Sequence, residues 1–349
     1  AHLDEISESI RKKLIADKDN AYLSRKLATI RTDLDIPFQP ENAKVGQFDL
    51  ERVEEIFRSL EFRTLMNRFR VVAEQYGVLT NQRKTTQQLS LFSSGTISNI
   101  VEISGIGDLQ TEIINTPEKM DGLLAQLSNA KEISFDTETT STDQMRADLV
   151  GISLACAEDK GYYIPIGHRQ ASLSQLELSY VISRLLPVFT DLKVPKLGHN
   201  VKYDYVVLAR NGVRPEPLSF DSMIAEWVCD PGSHNLGLKN LAWVRLNLNM
   251  TTIEELIGKG KKQISMADVP IEQAAPYAAA DAAMVIRLKP ILLNELSQKQ
   301  GLKLFSELEM PLIKVLAEME MTGISLDVEL LKGMSHELAQ RLHDIENRI

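Results

Sequence analysis

An α/β fold with a mixed sheet, flanked by helical segments, is what this 349-residue sequence predicts. Three observations predict it. Within residues 106–300 short apolar runs come first, at Glu132–Phe135, Val150–Ala157 and Tyr162–Ile166, and longer helical patterns follow them. Asp159-Lys160-Gly161 is a turn signal between the last two runs and predicts an antiparallel hairpin. Both flanks carry apolar residues spaced three and four apart, the helical period.

In chain order, residues 1–76 read as helical. Asp49 is a suitable N-cap for a helix whose stripe is Leu50, Val53, Phe57 and Leu60. Residues 77–105, with Thr85, Thr86, Gln87, Gln88, Ser93, Ser94 and Gly95, lack periodicity and read as a linker. After the three strands, Val194–Leu197 reads as a strand end that runs into a helix past Gly198. Helices follow at Ser222–Cys229, Leu236–Leu246 and Tyr277–Glu295, with Pro276 in the first turn of the last and Pro290 as a kink. Residues 301–349 read as two helices; Gly323 ends the first, and Ser325 or Asp327 caps the second. The stripe Leu304, Leu308, Leu312, Val315 and Met319 predicts hydrophobic packing.

At 44% hydrophobic content, the chain can bury one good core plus smaller helical units. Cys156 and Cys229 make no disulfide framework and read as core residues in a reducing cytoplasm. The polar start Ala1–Glu5 is no signal peptide, and no apolar run approaches bilayer-spanning length, so no membrane partner is expected. The lack of an initiating methionine and the end inside a helical pattern at Ile349 predict a piece of a longer chain. Nothing demands more than a monomer.

Function is most legible in Phe135-Asp136-Thr137-Glu138-Thr139-Thr140. In a strand Asp136 and Glu138 project from one face, and two like charges that close demand a cation. Alone, the pair fits a solvated strand end. Gly198-His199-Asn200-Val201-Lys202-Tyr203-Asp204 adds a third acid, and Tyr277-Ala278-Ala279-Ala280-Asp281 a fourth, with Tyr277 and Asp281 on one helix face. Four acids and a tyrosine on separate elements match a two-metal phosphodiesterase, whose paired cations sit about 4 Å apart. Carboxylates without histidine or cysteine ligands suit hard cations such as magnesium. Asp136 would bridge both metals, Glu138 and Asp281 would complete the nucleophile-side metal, and Asp204 would serve the leaving-group side. Tyr277 would orient the attacking water, because a phenol of pKa about 10 is a poor base.

The three stretches FDTETT, GHNVKYD and YAAAD, in that order, resemble the exonuclease motifs of the DEDDy class of 3′–5′ exonucleases, and more narrowly the proofreading domain of the bacterial DNA polymerase I family. Leu149–Ser153, Phe220-Asp221-Ser222-Met223 and Ile257–Gln263 read like the same domain. Upstream, Leu23–Asp33 resembles the last part of that family's 5′-nuclease domain; downstream, Glu309–Leu312 and Met319–Asp327 resemble the opening of its polymerase domain. The organisation implied is therefore 1–76 from a 5′-nuclease domain, 77–105 linker, 106–300 exonuclease domain with a ribonuclease H-like fold, and 301–349 from a polymerase domain.

The resemblance further implies two divalent ions, Mg2+ or Mn2+ with Zn2+ an option at one site, a DNA partner with a single-stranded or frayed 3′ end, and a cytoplasmic, nucleoid-associated location. Thr142 stands where relatives place an apolar wedge between the last two bases, and Ile253 stands at an often aromatic position. Asn200 is expected to contact DNA; His199 beside it fits the scissile strand and a polar strand end equally well and is not named as a ligand. The formal charge of −9 runs against phosphate binding, but Lys259 and Lys261, spaced by Gly258 and Gly260, form a loop suited to a phosphate backbone. Two rivals stand beside this reading: a ribonuclease D-like enzyme acting on RNA, and a non-catalytic scaffold for a polymerase domain.

Overall fold

The computed structural model describes residues 7–31, 33–34, 49–60, 62–75, 109–169, 173–233 and 236–348. The linker expected over 77–105 lies outside the described residues. The chain divides into two compact units, Ala1–Leu89 and Ser90–Ile349.

Among the described residues the first unit is helical, as its spacing predicts, with α1 (Glu8–Ala16), α2 (Lys18–Ala28), α3 (Leu50–Ser59) and α4 (Arg63–Gln75). Asp49 caps α3, its carboxylate accepting from Arg52 N–H at 3.1 Å. Phe57 meets Phe62 and Phe69 edge-on, with ring centroids 6.1 and 5.6 Å apart, and these contacts clamp α3 to α4. Glu54 and Arg70 pair across the same hairpin at 2.7 Å.

The second unit is built on one six-stranded sheet, ordered β1-β4-β3-β2-β5-β6. The strands are β1 (Gln110–Ile113), β2 (Ile133–Thr139), β3 (Leu149–Ala155), β4 (Lys160–Pro165), β5 (Lys196–Gly198) and β6 (Leu218–Asp221). β2, β3 and β4 pair antiparallel, while β1 joins β4, β5 joins β2 and β6 joins β5 in parallel, so the sheet is mixed. The hairpin expected at Asp159-Lys160-Gly161 forms, although Lys160 and Gly161 already belong to β4.

Helices α5 (Pro117–Leu127), α6 (Leu178–Phe189), α7 (Val201–Arg210), α8 (Ser222–Cys229), α9 (Leu238–Leu246) and α10 (Ile253–Ile257) precede the 28-residue α11 (Ile271–Gln298). β2, β3 and β4 form the floor under α11. That helix begins six residues before the expected Tyr277, and Pro276 lies inside it rather than in its first turn. A proline there forfeits one backbone hydrogen bond. Burial of Ile271, Ala274 and Ala275 in a small cluster with Val150 and Tyr163 holds the preceding turn helical anyway.

The chain continues through α12 (Leu302–Leu304), a π-helical turn (Phe305–Glu309), α13 (Met310–Thr322) and α14 (Val328–Glu346). Gly323, with φ 69°, ends α13, and Asp327 caps α14 by accepting from Leu330 N–H at 2.9 Å. The expected packing of Leu304, Leu308, Leu312, Val315 and Met319 is not what α12 and α13 do: these side chains are 37–62% exposed. The buried stripe is Phe305, Met310, Ile313 and Ala317, rotated around the helix because α13 settles against α7 and β6. Ion pairs from Lys202 to Glu320 and from Arg214 to Glu318 fix that contact. Among the described residues, no helix is long and apolar enough to cross a membrane.

Candidate active site

β2 runs through the middle of the sheet and carries Asp136 opposite Ser153 and Glu138 opposite Gly151. The strand is longer than its apolar run, because ladder pairing with β3 continues through both acids before the register slips between Glu138 and Thr139. Gly151 has a steric reason to be glycine: a Cβ there would lie 2.2 Å from Tyr163 Oη. The Tyr163 phenol occupies the space a side chain at 151 would need and reaches His168 Nε2 at 2.7 Å. His168 Nδ1 faces the Val269 carbonyl at 2.8 Å, which makes Nδ1 the protonated nitrogen and Nε2 the acceptor from Tyr163.

Asp204 arrives on the first turn of α7. Asn200, in the left-handed conformation with φ 54°, turns the chain from β5 into that helix. Asp221, at the end of β6, accepts from Asn200 and Val201 N–H at 3.1 and 2.7 Å. It also accepts from Met223 and Ile224 N–H at 2.8 and 3.2 Å. One carboxylate thus satisfies the opening amides of both α7 and α8 and sets where Asp204 stands. Asp204 itself accepts from the backbone N–H and the hydroxyl of Thr137.

Tyr277 and Asp281 come from α11, where Ala278, Ala279, Ala282 and Ala283 are buried. Small side chains let the helix lie flush on the sheet; at Gly161 a Cβ would stand 2.7 Å from the Ala279 carbonyl oxygen. The result is a cluster in which Asp136, Glu138 and Asp281 each offer a carboxylate oxygen within 4.8 Å of the others. Asp204 is not one of that trio, but its charge is the first among those acting on Asp136.

The electrostatics follow from this convergence. Burial, then Asp204, Glu138 and Asp281, drives Asp136 well above the usual carboxylate range. Burial and Asp281 push Glu138 up to about 8. Burial raises Asp204 to about 7 against the opposing bonds from Thr137. Asp281 is raised by burial, with Lys239 working against it. Burial and the same acids hold the Tyr277 phenol far above its ordinary value, so it stays protonated. An all-oxygen donor set under this much mutual repulsion fits hard divalent cations, which need no histidine or cysteine.

Sequence reasoning missed Lys239. Its ammonium pairs with Asp281 and sits 4.1 Å from the Tyr277 ring centroid. A signal was present: Leu236–Leu246 contains no acid, so a lysine among those apolar residues must find its partner on another element. His199 is tied to Ser222 Oγ by Nδ1 at 2.8 Å. Burial, reinforced by Lys239, brings it down to about 3, so it is neutral.

The other expected residues are spread more widely. Thr142 is exposed in the loop after β2, next to Ser141, whose carbonyl accepts from Tyr203 Oη at 2.6 Å. Asn200 is exposed at the start of α7. Ile253, half-buried at the start of α10, packs with Tyr277 on the small cluster around Val150 and Tyr163. Lys259 and Lys261 are exposed on a turn whose Gly258 and Gly260 have φ 78° and 61°, and the acid trio does not include them.

Comparison with known proteins supplies a family. Residues 111–297 match a family model described as 3′-5′ exonuclease. DNA polymerase I of Chloroflexus aurantiacus is 40% identical over 343 residues, covering 94% of this chain and 36% of the relative. DNA polymerase I of Borreliella burgdorferi is 34% identical over 355 residues, covering 100% of this chain and 37% of the relative. The chain thus spans little more than a third of these relatives' length. A solved structure of the POL domain of Pol1 from M. smegmatis, in complex with DNA primer-template and dNTP, superimposes with a TM-score of 0.52 at 22% identity. The match covers 66% of this chain and 36% of that one. Residues 111–297 are thus a 3′–5′ exonuclease domain, whose α/β fold is built on a mixed six-stranded sheet.

Proposed function

The chain belongs to the 3′–5′ exonuclease family found in A-type DNA polymerases, and on that premise we propose that it removes nucleotides from DNA 3′ ends by two-metal hydrolysis, as the proofreading part of a DNA polymerase I. The observation that carries the proposal is the convergence of Asp136, Glu138 and Asp281 within 4.8 Å, from a strand and a helix remote in sequence.

Two divalent ions, Mg2+ or Mn2+, would supply water activation and stabilisation of the leaving oxygen when bound. Asp136, Glu138 and Asp281 would hold them, with Asp204 completing the set from α7. Tyr277 acts as a neutral hydroxyl that orients the attacking water; its phenol is too weakly acidic to take the proton away. Ile253, packed on the same small cluster as Tyr277, would form an apolar wall for the terminal base, and Thr142 and Asn200 would line the approach of the strand. Lys259 and Lys261 attract the phosphate backbone. A single-stranded or frayed 3′ end is the substrate, because the terminal nucleotide must leave its stack to reach buried acids.

Residues 1–76 and 301–349 are read as the neighbouring ends of a 5′-nuclease and a polymerase domain, joined to the exonuclease domain of 106–300 on the amino-terminal side by the 77–105 linker. A monomer working on DNA in the bacterial cytoplasm, at the nucleoid, follows from that reading.

The test is degradation of matched 3′-labelled DNA and RNA single strands with Mg2+, with EDTA, and with Asp136→Ala. Shortening of DNA from the 3′ end that needs metal and Asp136 is the expected result. Strong preference for RNA overturns the assignment in favour of a ribonuclease D-like role, and activity indistinguishable from Asp136→Ala leaves a scaffold.

A further inference from the structure

Lys239 has a position that no nuclease role yet explains. It is the second residue of α9, its side chain is only 19% exposed, and its ammonium pairs with Asp281, itself 11% exposed. The same ammonium lies over the face of Tyr277, so both residues that α11 contributes to the site touch one lysine. Its charge also favours the ionised forms of Asp136 and Glu138. A buried ammonium held by carboxylate and aromatic face replaces much of the hydration it has lost.

The oxygen it holds belongs to one of the three acids that would bind a divalent ion. An ammonium and a divalent cation on one carboxylate repel each other in a site of low effective dielectric, so a metal bound there weakens the hold of Asp281 on Lys239. Room for the lysine to leave is built in. Lys239 and Asp281 line one cavity of about 420 Å3 together with the polar side chains Asn249, Thr251, Glu255 and Gln273. A four-carbon stem with free rotors can swing into that space without moving α9.

We propose that Lys239 is a built-in counter-ion of the acid cluster, which neutralises Asp281 before metal arrives and is exchanged for the metal when it binds. This inference rests on the two-metal reading above. Exchange has two consequences. The site can fold with its acids already gathered, since the ammonium offsets part of their repulsion. Metal affinity is correspondingly lowered, because each binding event must first break the lysine–aspartate pair.

The experiment measures Mn2+ binding by calorimetry at fixed pH and thermal melting in EDTA for wild type, Lys239→Met and Lys239→Arg. Lys239→Met should bind Mn2+ about tenfold more tightly, the worth of one charge-assisted hydrogen bond no longer broken. It should also melt about 3 °C lower in EDTA and recover more of that loss than wild type on Mn2+ saturation. Lys239→Arg, which keeps the charge, should stay close to wild type in EDTA. Lys239→Gln, which keeps a polar head without the charge, is measured alongside and should follow Lys239→Met if that variant folds poorly. Unchanged or weaker Mn2+ affinity in both neutral variants overturns the exchange while leaving the nuclease reading in place. Failure of the wild type to bind Mn2+ at all overturns both.

Discussion

Thr137 grips a single oxygen of Asp204 twice, with its backbone N–H at 2.8 Å and its hydroxyl at 2.5 Å. The strand that carries the first two acids therefore also fixes the third. Thr137→Val keeps the shape and the N–H bond but deletes the hydroxyl. Bonds to a charged acceptor contribute about 1.5–3 kcal/mol, so the variant should lose that much stability at pH 8, by urea denaturation, and lose exonuclease rate as well. Wild-type stability in Thr137→Val would mean that this bond does not position Asp204.

Asp136→Ala should move activity and stability in opposite directions. Removing the acid placed between Asp204, Glu138 and Asp281 takes away a metal ligand, and exonuclease rate should drop at least about a thousandfold, or ~4 kcal/mol of transition-state stabilisation. In EDTA the same change relieves repulsion, so the melting temperature should hold or rise. Rate by 3′-label release and melting by circular dichroism check the pair. A melt lowered by several degrees would show that Asp136 is a structural residue.

Without metal, Glu138 should make stability fall as pH rises. Burial and Asp281 lift its carboxyl to about 8 from an ordinary 4.5, so the folded state holds this proton more tightly than the unfolded state does. Its contribution is complete below about 4.5 and disappears as pH climbs through 8, at about 1.4 kcal/mol per pH unit per proton. Denaturation in EDTA from pH 4.5 to 8.5, taken as the difference between wild type and Glu138→Gln, isolates the effect. Saturating Mn2+ should flatten the slope. Wild-type stability that rises with pH relative to Glu138→Gln in EDTA contradicts this account.

Two glycines should respond oppositely to the same methyl group. Gly151→Ala drives a Cβ to 2.2 Å from Tyr163 Oη and should cost about 1–3 kcal/mol together with exonuclease rate. Gly122, inside α5, has nothing within 4 Å of a built Cβ, and Gly122→Ala should add about 0.5–1 kcal/mol. Chemical denaturation of both variants gives the signs directly.

The convergence of Asp136, Glu138 and Asp281 was legible because a site for a hard cation calls for carboxylates, and few other residue types serve. Asp49, Gly323 and Asp327 were legible because caps are local. What the sequence concealed is set by tertiary packing. Pro276 looked like a helix start, yet burial of Ile271, Ala274 and Ala275 outweighs the lost hydrogen bond. The Leu304-to-Met319 stripe has the right period, but a period does not say which face meets α7, and Met310, Ile313 and Ala317 win that place. β1 and β6, four residues each, are too short for alternation to rise above noise. The sequence signal at Lys239 asks for a partner without saying which, because that partner, Asp281, is 42 residues away.

Asp221 ties the opening amides of α7 and α8 to one carboxylate, and this makes the two helices a single unit for local opening. Amide hydrogens of Asn200, Val201, Met223 and Ile224 should exchange with solvent together, at one free energy, although some 20 residues separate the pairs. The time Asp204 spends beside Thr137 is therefore governed in part by a carboxylate on another strand. Loosening of the first turn of α8 would be felt at the acid cluster as a displacement of Asp204.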